Sequence, residues 1–205
     1  MTPRVGNDVV DLDDPHNALA HLRARFVERV CREAERAQLA TSATPHTLLW
    51  SFFAAKEAAF KVVAKLAPPP PFAHRRFVVS ADLRSVRYEG RELFLVVEVG
   101  ERYVHAIAST HEATPLRAVE RVDASADHSL CARTLLRTSL GRALDCDPED
   151  LEVVRPKVVG SWDGYGPPQL LTRGALREAD VSLSHDGRFV ACAAWFPTRA
   201  STAAA

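Results

Sequence analysis

Apolar and polar residues change period several times along the chain, and those changes mark its elements. Residues 4–12 form an extended, mostly apolar run closed by Asp13-Asp14-Pro15, which predicts a strand. From about 17 to 39, Leu22, Phe26, Val30 and Ala37 recur at helical spacing. Residues 41–46 read as a turn. Residues 47–66 predict a second and more apolar helix, stopped by the four prolines at 68–71. That proline run is too short to separate two domains. The period then falls to two: residues 77–79, 86–88, 93–99 and 103–108 predict strands, with Glu89-Gly90 and Gly100-Glu101 at hairpin positions. Residues 110–127 are polar and read as a connector. A helix is predicted over 129–144, with Leu130, Leu135, Leu136 and Leu140 available for burial. A short strand over 151–156 and a glycine- and proline-rich loop over 161–168 follow, then a hairpin over 180–195 turning at Asp186-Gly187. This order favours an α+β architecture of two halves over a doubly wound α/β sheet.

Composition narrows the classes. The chain has 205 residues, with 26 basic and 26 acidic side chains and a formal charge of zero. A nucleic-acid binder carries a basic excess, so that class is set aside. No apolar run approaches the roughly 18 residues of a membrane span, and residues 1–8 lack the regions of a signal peptide. Cys31, Cys131, Cys146 and Cys192 form no CxxC pair, which argues against a zinc site or disulfide framework and suits a cytoplasmic location.

Three places break the pattern. In the first strand Gly6, Asp8, Val10 and Leu12 share one face. Asp8 there needs a neutralising partner: a divalent cation would serve, as would a role capping the next turn. In the second helix Trp50, Phe53, Ala54, Glu57, Lys61 and Ala64 fall on one stripe at about 100° per residue, with Glu57 near its middle and Lys56 at its edge. Glu57 and Lys61 stand in the favourable i,i+4 order, so a structural ion pair competes with a functional reading. In the last hairpin Ser184 and His185 enter a tight turn, where they could hold a phosphate or be ordinary turn residues.

Together these segments resemble the 4'-phosphopantetheinyl transferase superfamily. Gly6-Asn7-Asp8-Val9-Val10-Asp11 resembles the opening motif of its holo-acyl-carrier-protein synthase branch, and residues 25–35 the helix after it. Lys56-Glu57-Ala58-Ala59-Phe60-Lys61 resembles the most diagnostic stretch of the family. Residues 182–191, Arg133-Thr134-Leu135-Leu136 and residues 166–170 resemble the two-lobed branch that serves peptide and polyketide synthases. The order differs from that branch, since the acidic half comes first here. The expected division is 1–118 for the acidic-motif half and 119–205 for the other, packed about a pseudo-twofold axis that tolerates the exchange.

The resemblance implies transfer of 4'-phosphopantetheine from coenzyme A to a serine of an apo acyl or peptidyl carrier protein. Asp8 and Glu57 are then the Mg2+ ligands (Mn2+ being the other candidate), and Asp8, Glu57 and Lys61 the catalytic group. Arg133, Ser184, His185, Lys61 and Lys56 are expected to bind the coenzyme. Two positions depart from the two-lobed pattern: Val10 stands where a second acid is common, and Pro167 replaces a loop lysine. Asp11 lies on the opposite strand face. Arg25, Arg29, Arg32 and Arg36, at helical spacing, form a basic face that could meet an acidic carrier protein or simply be solvated. Two halves in one chain imply a monomer. The rival readings are a non-catalytic carrier-protein-binding protein and a coenzyme A sensor of the same fold.

Overall fold

The computed structural model describes residues 2–18, 24–66, 72–158 and 164–197. It is an α+β fold with three antiparallel sheets and four α-helices among those residues. The first strand, β1 (Val5–Asp11), leads through α1 (Ala24–Val30) and α2 (Glu33–Thr41) to the long helix α3 (Pro45–Leu66). Strands β2 (Phe77–Val79), β3 (Ser85–Tyr88), β4 (Arg91–Val99) and β5 (Tyr103–Ser109) then return as a meander. The last of them lies beside the first, in the order β1-β5-β4-β3-β2. Helix α3 lies across β1 and β5 and buries Phe52, Ala55, Ala59 and Val62 against Val86, Leu93 and Val104.

The rest of the chain builds a smaller copy of that plan. Strand β6 (Leu116–Arg121) is followed by α4 (His128–Leu144). Strands β7 (Leu151–Val154), β8 (Gln169–Thr172) and β9 (Ala175–Leu176) form a small sheet, and β10 (Asp180–Asp186) with β11 (Phe189–Trp195) forms the terminal hairpin. The order β10-β11-β6 again sets the last strand beside the first. Leu136, Leu140, Leu151, Leu170 and Val181 form its core.

The two units meet where β1 crosses β10 and β11. Strand β1 is a sheet edge, and an edge leaves main-chain donors that must find partners. Side chains at alternate positions of β10 supply them. Asp180 Oδ2 accepts from Val5 N at 2.7 Å, Ser182 Oγ from Asn7 N at 3.0 Å, and Asp186 Oδ2 from Asp11 N at 2.8 Å. Lys65 Nζ, buried and with its pKa lowered by desolvation, donates to Asp180 at 2.8 Å and locks the same seam.

Several expectations change. The helix expected over 17–39 is two helices, with residues 19–23, Leu22 among them, outside the described residues. Arg32 is extended at the break, and its N–H donates to Glu35 Oε2 at 2.7 Å while Lys56 Nζ takes the Val30 carbonyl at 2.7 Å. Arg25, Arg29, Arg32 and Arg36 therefore do not share one continuous helical face. The stretch expected as a connector holds β6, an edge strand whose apolar positions are too few to show a period. Strands β8 and β9 were not foreseen, and Leu130 is 55% exposed instead of buried. The division at 118/119 falls inside β6, which pairs with β11. The prolines at 68–71 and loop residues 161–163 lie outside the described residues.

Candidate active site

Gly6 sets the geometry of the site. A Cβ there would lie 2.1 Å from the Ala58 carbonyl oxygen, so only glycine lets β1 and α3 approach this closely. The approach brings Asp8 of β1 beside Lys61, whose Nζ donates to Asp8 Oδ1 at 2.9 Å and to the Asn7 carbonyl at 2.7 Å. Lys61 thus pairs with Asp8, and the i,i+4 pair with Glu57 does not form. Glu57, one turn earlier on α3, faces His74 instead, with Oε1 3.4 Å from Nε2. The most buried stripe of α3 runs through Phe52, Ala55, Ala59 and Val62, so Glu57 lies on the flank and not at the centre of the apolar face.

The other wall comes from the terminal hairpin. Gly187 turns at φ +50, and a Cβ there would meet the Asp11 carboxylate at 2.5 Å. Asp11 accepts from Arg188 Nε at 2.8 Å and from Arg188 Nη2 at 2.7 Å, which holds its carboxyl below the usual range. That bidentate pair ties the hairpin tip to the end of β1 and uses up Asp11. His185 and Asp186 are then held over the open side of β1.

Asp8, Glu57, His185 and Asp186 consequently line one cleft of about 230 Å³, together with Val9, Val10, Asn17 and the aromatic group Phe26, Trp50 and Phe53. Burial pushes the Asp8 carboxyl up to about 6 against the opposing pull of Lys61, and Glu57 and Asp186 add negative charge in the same direction. Desolvation raises Asp186 as well. A cleft with three carboxylates, one of them held by Lys61, suits a hard cation. Among the described residues no group of three or more His, Cys, Asp or Glu converges as a metal-ligand set, so the chain itself offers few donors.

The remaining expected binding residues divide. His185 faces the cleft, with its pKa lowered by desolvation and then by His128. The His128 ring, at the first turn of α4, lies 5.6 Å from that of His185 in a stacked arrangement. Nothing local in the sequence distinguished His128, because the contact joins residues far apart in the chain. Ser184 is buried and accepts from Asn7 Nδ2 at 2.8 Å, in the seam between the sheets and outside the cleft lining. Lys56 is fully buried, neither solvated nor in the cleft, and donates to Glu35 Oε2 at 2.5 Å. Arg133 lines a different cavity of about 370 Å³ with Arg137, Glu149 and Leu151. Val10 is buried beneath the cleft and adds no acid. Asp186 was seen in the sequence only as a turn residue.

A family model described as the 4'-phosphopantetheinyl transferase superfamily matches residues 4–108, a little over half of the chain. Among solved structures, the crystal structure of Thermotoga maritima holo-[acyl-carrier-protein] synthase matches over 84% of each chain at 15% sequence identity, with a TM-score of 0.37. No curated protein sequence matches.

Proposed function

The chain belongs to the 4'-phosphopantetheinyl transferase superfamily, and we propose that it moves the phosphopantetheine arm of coenzyme A onto a serine of an apo acyl or peptidyl carrier protein with Mg2+ in the cleft. The observation that carries this reading is the cleft itself, which collects Asp8 and Glu57 from one unit and His185 from the other.

Asp8 and Glu57 are the residues that would hold Mg2+, leaving its other positions to water and phosphate oxygens. The ion, when bound, supplies positive charge for the diphosphate. Glu57 positions the serine hydroxyl and accepts its proton, directly or through water. The serine oxygen forms a bond to the β-phosphorus, and the bond to the bridging oxygen breaks. 3',5'-Adenosine bisphosphate leaves with that electron pair. Lys61, partly exposed beside Asp8, keeps the Asp8 carboxylate in place and presents its ammonium to the diphosphate. His185, with its neighbour His128, offers ring donors to the nucleotide end.

Intact mass of a panel of apo carrier proteins, incubated with the protein, coenzyme A and Mg2+, tests this reading. The expected result is a gain of one phosphopantetheine that is lost with Glu57→Gln and without metal. Coenzyme A binding with no mass gain on any carrier would instead support the sensor or carrier-binding reading.

A further inference from the structure

Glu57 has an unexpected neighbour. Lys61 is committed to Asp8 and Asn7, and no hydrogen bond to Glu57 is found among the described residues. The basic group facing it is His74, from the 3-10 turn before β2. The His74 ring is wedged between two aromatic rings, with centroids 5.0 Å from Phe53 and 4.3 Å from Phe72. Its Nε2 is buried, makes no hydrogen bond, and stands 3.4 Å from Glu57 Oε1. A buried ring nitrogen without a partner is costly, and one fixed by packing beside a half-buried acid is placed to gain that acid as its acceptor. Contacts of this kind are often long before ligands bind and shorten when the site fills.

We propose that His74 is a positioning residue for Glu57: its Nε2–H holds Oε1, which leaves Oε2 for the cation and the incoming hydroxyl. The proposal rests on the reading of Glu57 given above. The aromatic pair makes the device rigid, because the His74 ring cannot leave Glu57 without separating from Phe53 and Phe72. Without His74 the carboxylate sits beside Asp8 with nothing to hold it there, and repulsion between the two acids turns it outward.

The test compares His74→Phe, which keeps the stacked ring and removes the donor, with His74→Gln, which restores a donor. Mn2+ binding by calorimetry and transfer kinetics are read in both, alone and in a Glu57→Gln background. Loss of an outer partner of a metal-binding acid costs roughly 10-fold or more in metal affinity or activity. For His74→Phe the expected result is a loss of that size in Mn2+ affinity and kcat, with an unchanged KM for coenzyme A and an unchanged Tm. His74→Gln should recover most of it, and in the Glu57→Gln background His74→Phe should add nothing. Wild-type Mn2+ affinity and kcat in His74→Phe, or equal losses with and without Glu57, would overturn the proposal. Crystal structures of wild type and His74→Phe decide the point independently of transfer activity: a displaced Glu57 carboxylate supports the role, and an unmoved one ends it. A wild-type protein that transfers nothing would count against the functional reading alone.

Discussion

Residues 5–109 and 116–195 are built to one plan, yet one of them carries acids where the other carries none. The strand orders β4-β5-β1 and β10-β11-β6 match. The ladders also match when Tyr103 is set against Phe189, two residues that open β5 and β11 and pack with ring centroids 5.1 Å apart. In that register Asp8 corresponds to Ala118, because their partners Ala106 and Cys192 correspond. His185 corresponds to Val99 and Ser184 to Glu98. The seam confirms the match: Asn7 reaches across to Ser184, and the corresponding Arg117 reaches back to Glu98 at 2.5 Å. Helix α4 contains no Asp or Glu, so nothing on it can stand in for Glu57. The fold thus has two related crossings, and only the first has an acid at the positions of Asp8 and Glu57. A repeated scaffold specifies where a cleft forms, while the side chains placed there decide whether it can act.

The largest expected effect falls on the crossing that carries the acids. Glu57→Gln should lower kcat/KM by about 10²- to 10³-fold, the range for loss of one group acting in the transition state. His185→Ala should raise the KM for coenzyme A about tenfold through loss of a charge-stabilising donor. Arg133→Ala, in the separate cavity, should change either constant less than about twofold. Steady-state kinetics on one carrier protein checks all three, and an Arg133→Ala defect as large as that of His185→Ala would join the two cavities functionally.

Acid sensitivity should follow the first unit. His105, which corresponds to Ala191, is buried, and desolvation followed by repulsion from Arg117 lowers its pKa from 6.5 to about 3. Asn7 Nδ2 lies 3.1 Å from its Nε2. A histidine depressed in the folded state contributes stability above its unfolded pKa and loses it as pH falls through the folded one. Unfolding free energy should therefore fall by a few kcal/mol between pH 7 and about pH 3 on this account. His105→Gln should flatten that part of the profile in urea titrations.

Asp8 has the opposite sign. Its folded pKa of about 6 lies above the unfolded value of 3.8, so its burial costs nothing at low pH and the full penalty above about pH 6. Asp8→Asn should accordingly stabilise the metal-free protein at pH 8 by roughly 1–3 kcal/mol while abolishing transfer. A destabilised Asp8→Asn variant would show that the Lys61 pair outweighs desolvation.

The smallest contrast lies in the seam. Asn7→Ala removes a fully buried amide and leaves Ser184 and His105 unpaired, which should cost about 1–3 kcal/mol. The corresponding Arg117→Ala breaks an ion pair about one third exposed, with an expected cost under about 1 kcal/mol. Equal costs from chemical denaturation would mean that the two crossings bear load alike.

Much of this was legible along the chain. The extended apolar run of residues 4–12, the apolar run of α3, the meander and the terminal hairpin follow from period and turn residues, and so does the α+β class. Asp8, Glu57 and His185 stood out because each breaks a local pattern, and all three line one cleft. Strand β6 escaped because an edge strand with few buried side chains has little period to display. The break between α1 and α2 escaped because Glu35 and Lys56, far apart in sequence, create it.

Sequence alone determined the period of most elements, and with it which residues of one continuous element lie on the same side, since that is a matter of 3.6- and 2-residue periods. It did not determine what lies across from that face. Lys56 reads as an edge residue of the helix stripe and is buried on Glu35, Lys61 reads as the partner of Glu57 and binds Asp8, and Asp186 reads as a turn residue and becomes a wall of the cleft. Those pairings depend on which elements pack together, and only the tertiary structure decides them, because the energy of a buried charge is set by its neighbours in space and not by its neighbours in the chain.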